Sequence, residues 1–218
     1  PGNVEDYHVS KLSRDVVAIA DQLGFDTFHL VGHDWGSGAG WSTVFSYSHR
    51  VISWAGMAIP HFGSFTHSAL HDPEQAKRSG YFKTFKKPML VEFALTHSGQ
   101  KRMKAMMARM PAPLLEDYLS IFAEPGAMTA MLNWYRAWDH ETVDANGEMD
   151  IDVHTPTLFI WGNEDGVVAR SSVEAQKVYM KGPYQELELD AGHSLLLAKP
   201  DEVISAILGH IGRYGEAH

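Results

Sequence analysis

Residues 10–25, SKLSRDVVAIADQLGF, carry Leu12, Val16, Ile19, Ala20 and Leu23 at helical spacing, which predicts an amphipathic helix. TFHLVGH (27–33), VISWAGMAIP (51–60) and TPTLFIWG (155–162) are short apolar runs rich in β-formers, and Gly or Pro punctuates them. They read as buried strands. YQELELD (184–190) alternates apolar with polar and reads as a more exposed strand. Gly36 to His49 and DEVISAILGHIGRY (201–214) read as helices, the second opened by Pro200 and Asp201. Strands and helices therefore alternate at both ends of the chain, which predicts an α/β architecture with a mostly parallel sheet flanked by helices. The middle has no strand pattern. It carries KRMKAMMARM, with Met103, Met106, Met107 and Met110 on one expected face, then PLLEDYLSIF and AMTAMLNWYRAW. The expected division is a core in two parts, 1–60 and 151–218, with a helical cap inserted at 61–150.

Composition narrows the chemistry. The 218 residues contain no Cys, so disulfides, thiolate catalysis and Cys-ligated metals are excluded. A formal charge of −9 argues against nucleic acid or an anionic membrane as partner. No run reaches transmembrane length, and PGNVEDYHVS is not a signal peptide; a cytoplasmic location is the default expectation. Among the 13 His, His67 and His71 stand four apart, but HExxH is absent and no third ligand is evident nearby, so neither a metal nor another cofactor is expected.

The chemistry centres on VGHDWG (31–36). A tight strand-to-helix turn that presents a nucleophile needs small residues two before and two after its tip. Gly32 and Gly36 hold those places around Asp34. Ser37 and Ser42 fail the same rule. Two plainer readings exist: an Asp N-cap on an ordinary turn, and a dinucleotide loop, for which GSGAG is a loose match without the acidic residue that should follow. In an open α/β sheet, catalytic groups gather at the carboxyl ends of strands. Asp165 follows TLFIWG in one such loop, with Glu164 as its near neighbour, and His193 follows YQELELD in another. The chain order is then nucleophile, acid, base.

LVGHDWGSGAGW, LFIWGNEDGVV and AGHSLLLAKPDEV together resemble the α/β-hydrolase superfamily, in particular its Asp-nucleophile branch of epoxide hydrolases and haloalkane dehalogenases. The resemblance covers nearly the whole chain. It implies that Asp34 attacks an alkyl carbon to form an ester, which water activated by His193 and Asp165 hydrolyses. The Trp35 N–H would serve the oxyanion. Two segments, YFKTFKKP and LNWYRAW, resemble cap motifs that contribute tyrosines to epoxide opening. They imply Tyr81 and Tyr135 as donors to the epoxide oxygen and Phe85 as a substrate contact. The implied substrate is a small apolar epoxide, with water as co-substrate. Two alternatives stay open: a haloalkane dehalogenase, for which Trp134 or Trp138 would hold the halide, and a catalytically incomplete binding or structural module.

The resemblance starts partway into the family's fold. The expected His-Gly-x-Pro type loop, which would supply a second oxyanion donor, is absent, as are the first strands. Three explanations stand open: the chain is a truncated or cleaved product, a complementing N-terminal chain supplies the rest, or a homo-oligomer covers the exposed sheet edge.

Overall fold

Among the described residues four strands form one parallel sheet in chain order: β1 (Phe28–His33), β2 (Val51–Met57), β3 (Thr157–Gly162) and β4 (Tyr184–Leu189). The structure is a computed structural model and describes residues 2–96, 100–108, 110–138 and 151–215. The two central strands carry Trp54, Phe159, Ile160 and Trp161, all buried, as strands covered on both faces require. β4, at one edge, is half-buried at Tyr184, Glu186, Leu187 and Leu189 and exposed at Gln185 and Glu188, so the alternation that YQELEL predicts holds only in part.

Parallel strands need crossovers, and helices supply them. α1 (Val9–Gln22) precedes β1, and α2 (Trp35–Ser46) joins β1 to β2. α3 (Phe62–His71) and α4 (Pro73–Arg78) follow β2. After the helices of the central block, α10 (Arg170–Ala175) joins β3 to β4, and α11 (Leu195–Ala198) and α12 (Pro200–Tyr214) close the chain. One core cluster lies between β2, β3 and the closing helices, where Met57, Leu158 and Ile160 meet Ala191, Leu195 and Val203.

The burial of α1 departs from its predicted face. Val9, Ser13, Val17 and Ala20 are buried, whereas Ile19 and Leu23 are 61 % and 65 % exposed. α1 packs against the glycine-rich α2. Small side chains on the facing stripe allow two helices to approach closely, so Ser13 and Ala20 win that face over larger neighbours.

The central block is α5 (Tyr81–Phe85), α6 (Leu90–Thr96), α7 (Lys101–Met106), α8 (Ala112–Ala123) and α9 (Ala127–Ala137). It buries a core of its own, with Phe85, Val91, Leu95, Met103, Leu119, Met128 and Leu132. Arg136 of α9 and Glu92 of α6 form an ion pair of 2.7 Å with little exposure of either side chain. The expected methionine stripe holds only in part. Met103 is buried and Met107 partly so, but Met106 is 61 % exposed. The stripe assumed one helix through Met110, and α7 ends at Met106 before Pro111.

The chain divides into two compact units: Pro1–His8 with Gly80–Trp138, and Val9–Ser79 with Asp139–His218. α3 and α4, which the sequence division assigned to the cap, thus cluster with the sheet, because α3 packs on α10. The segment 139–150 of the expected cap lies outside the described residues.

Candidate active site

Asp34 stands between the last residue of β1 and the first of α2, with φ +54° and ψ −124°. A non-glycine residue in that region is strained by about 1–3 kcal/mol, so the surrounding turn must hold it there. Gly32 makes the turn possible: a Cβ on it would lie 2.4 Å from the Gly36 carbonyl oxygen. Gly36 differs from expectation. A Cβ there meets nothing within 4 Å, so the steric demand falls on Gly32 alone. Ser37 is buried inside the elbow. Its hydroxyl accepts from the Met57 N–H and lies within bonding distance of the Gly32 and Met57 carbonyls, which ties the elbow to β2.

The two carboxylate oxygens of Asp34 have different partners. Oδ1 accepts from the Trp35 N–H at 2.6 Å, and Oδ2 lies 2.6 Å from His193 Nε2. On the far side of the ring, His193 Nδ1 is 2.8 Å from Asp165 Oδ2. Asp165 is buried, and its other oxygen accepts from the N–H groups of Val167 and Val168 at 2.7 and 3.1 Å. Glu164, the alternative acid, is exposed and donates its N–H to the Ala191 carbonyl. The loops after β3 and β4 are pressed together at Gly162, where a Cβ would lie 2.1 Å from the Ala191 oxygen. That close approach puts Asp165 and His193 within hydrogen-bond reach.

Charge follows geometry. Burial alone would push the His193 pKa down, but hydrogen bonds to Asp165 and Asp34 and the charges of both raise it from 6.5 to about 10. Burial likewise acts to raise the Asp34 pKa. The His193 bond and charge, the Trp35 N–H and His33 outweigh it and hold the carboxyl below its usual range. The resting site is therefore an imidazolium between two carboxylates. Because His193 binds its proton more tightly folded than unfolded, this stabilisation is complete below about pH 6.5 and lost as pH rises through about 10. Thermal melts of the chain and of His193→Gln check this. The advantage of the unaltered chain in Tm shrinks between those pH values, and an advantage of constant size contradicts it.

The other expected site residues form a second group. Tyr81, Tyr135 and Phe85 belong to the helical unit, where their rings meet edge to face, with centroids 5.7 Å apart for the two tyrosines and 4.9 Å for Tyr135 and Phe85. His67 and His71 stack on α3 with centroids 4.4 Å apart, and among the described residues no group of three or more candidate ligands could hold a metal ion. No helix among the described residues is long and apolar enough to cross a membrane.

Sequence reasoning passed over three residues. His33 Nε2 lies 2.8 Å from the His193 carbonyl oxygen, so it tethers the loop after β4 to the elbow. Gln75 and Arg78 of α4 bond the loop that carries Asp165. Adjacency to Asp34 was a signal for His33; nothing local marks the other two.

A family model described as the alpha/beta hydrolase fold matches residues 1–200. Epoxide hydrolase 4 of Mus musculus is 27 % identical over 219 residues, which cover 95 % of this chain and 60 % of the relative. Epoxide hydrolase 4 of Homo sapiens is 29 % identical over 215 residues, covering 93 % and 58 %. The chain thus spans less than two thirds of the length of these relatives. Among solved structures, an epoxide hydrolase of Bacillus megaterium in complex with an inhibitor shares the fold, with a TM-score of 0.86 at 23 % identity over 97 % of this chain and 78 % of that one. With one family model over residues 1–200, the chain belongs to the alpha/beta hydrolase fold family, and its similarity within that family is to epoxide hydrolases.

Proposed function

We propose that this chain opens epoxides to vicinal diols through an alkyl ester on Asp34. The observation that carries the reading is the split between the two oxygens of Asp34, one on the Trp35 N–H and one on His193. A carboxylate is a poor nucleophile toward an acyl carbon, but it is ionised at neutral pH and can displace oxygen from an sp³ carbon. Oδ2 attacks one epoxide carbon, and the C–O bond breaks with its electron pair left on oxygen. Tyr81 and Tyr135 donate hydrogen bonds to that oxygen, a task suited to phenols that stay protonated at neutral pH.

Oδ1 becomes the carbonyl oxygen of the ester, already held by the Trp35 N–H. Esterification removes one of the two negative charges that keep His193 protonated, so the imidazolium sheds its proton. That proton balances the one taken up by the alkoxide. Water then attacks Cγ of Asp34 while His193 accepts its proton and Asp165 stabilises the new imidazolium. The oxyanion on Oδ1 keeps the Trp35 N–H. Collapse of the tetrahedral intermediate expels the diol oxygen, which takes the remaining hydroxyl proton, and the resting charges return. Similarity to epoxide hydrolases supports the choice of leaving group.

Styrene oxide and 1-bromobutane test the reading side by side. The chain yields diol from the first and no bromide from the second. Replacing both Tyr81 and Tyr135 by Phe lowers diol formation by about 10²–10³-fold, the usual effect of removing donors from a developing oxyanion. Full diol formation by the double variant removes the tyrosines from the mechanism. Bromide release that is indifferent to Tyr135→Phe assigns the site to haloalkanes instead.

A further inference from the structure

We propose that Gln75 and Arg78 of α4 are positioning residues for the acid, holding the loop after β3 so that Asp165 faces His193. The proposal rests on the reading of Asp165 and His193 as the base of the ester-hydrolysis step. Gln75 is fully buried, and its amide uses every kind of bond it can make. Nε2 donates to the Val167 carbonyl at 3.0 Å and to Ser79 Oγ at 2.8 Å. Oε1 accepts from the Ala169 N–H at 2.7 Å and from Ser172 Oγ at 2.9 Å. One guanidinium nitrogen of Arg78 donates to the Asp165 carbonyl and, at 2.6 Å, to the Val168 carbonyl. Asp72 accepts from the Ser171 hydroxyl. Positions 72, 75 and 78 recur every three residues, so one side of this short helix is stitched along the loop from Asp165 to Ser172.

These bonds bear on the acid directly. Val167 and Val168 are the residues whose N–H groups fix Asp165 Oδ1, and their carbonyls are the groups that Gln75 and Arg78 hold. The peptide groups that follow the acid are therefore anchored on α4, and Asp165 Oδ2 is left aimed at the His193 ring. A merely structural tie would not need to grip the residues whose N–H groups hold the acid. Loss of the grip lets Asp165 drift, and a displacement of about 1 Å at a catalytic group can lower a rate about 10²-fold.

The test uses Gln75→Met, which keeps the length and removes the polar atoms, and Arg78→Gln, at a partly exposed position. Single-turnover measurements with styrene oxide separate the two chemical steps. Hydrolysis of the alkyl-enzyme slows about tenfold or more while alkylation stays within about threefold, because only the second step needs His193 and Asp165. NMR titration of the His193 imidazole, which needs no substrate, shows its pKa lowered by about one pH unit in each folded variant. Where Gln75→Met fails to fold, Arg78→Gln carries both readouts. An unchanged His193 titration, or equal slowing of both steps, overturns the proposal. Absence of any ester in the unaltered chain sinks the reading of the site instead, and the titration still decides whether α4 positions the acid.

Discussion

Asp34→Ala forms neither alkyl-enzyme nor diol, and kcat/KM for styrene oxide falls by about 10⁴-fold or more. Among the described residues, neither Ser37 nor Asp165 stands ready to replace it. Ser37, next along the elbow with a hydroxyl, is buried and tied to Gly32 and Met57. Asp165 has one oxygen on two backbone N–H groups and the other on His193. The loss is chemical rather than structural, and thermal melts separate the two. Ala at position 34 keeps the strained φ of +54° and gives up the ion pair with His193, so some stability is lost, whereas Gly at 34 relieves the strain. Both variants are inactive although only one is strained. Diol formation by either at more than a hundredth of the normal rate means that Asp34 is not the nucleophile.

The second large effect divides the reaction in two. His193→Gln keeps the carboxylate, the elbow and the Trp35 N–H, so alkylation of Asp34 proceeds. Hydrolysis of the ester then has no base, and steady-state turnover falls by about 10³–10⁴-fold. The signature is a burst of one epoxide consumed per chain followed by near arrest. A variant that loses burst and turnover together assigns His193 to the first step, contrary to the charge logic above. In that logic His193 is the imidazolium partner of Asp34 until esterification frees it.

The grouping of Asp34, Asp165 and His193 was legible because each of the three is marked within a few residues of itself. Gly32 before Asp34, Gly162 before Asp165 and the Ala191-Gly192 step before His193 are local signs of loops that leave strand ends, and the parallel sheet brings those ends together. Periodicity also located all four strands, because buried strands need apolar runs whatever they pack against. What sequence reasoning missed depends on distant partners. The buried face of α1 is chosen by the small side chains that meet α2, not by the largest apolar residues on the helix. That the steric demand falls on Gly32 and not on Gly36 depends on where one carbonyl points. Gln75 bonds groups 92 to 97 residues away, and a lone glutamine in a short polar helix gives no local hint of them.

The most direct measurement is the mass and location of the covalent species. His193→Gln is incubated with styrene oxide, its intact mass is recorded, and the adduct is mapped by proteolysis and fragmentation. The expected result is a gain equal to one epoxide on the peptide that contains Asp34, with the fragment ions placing it on that side chain, and no gain in Asp34→Ala. An unmodified chain, or an adduct on any other residue, contradicts it.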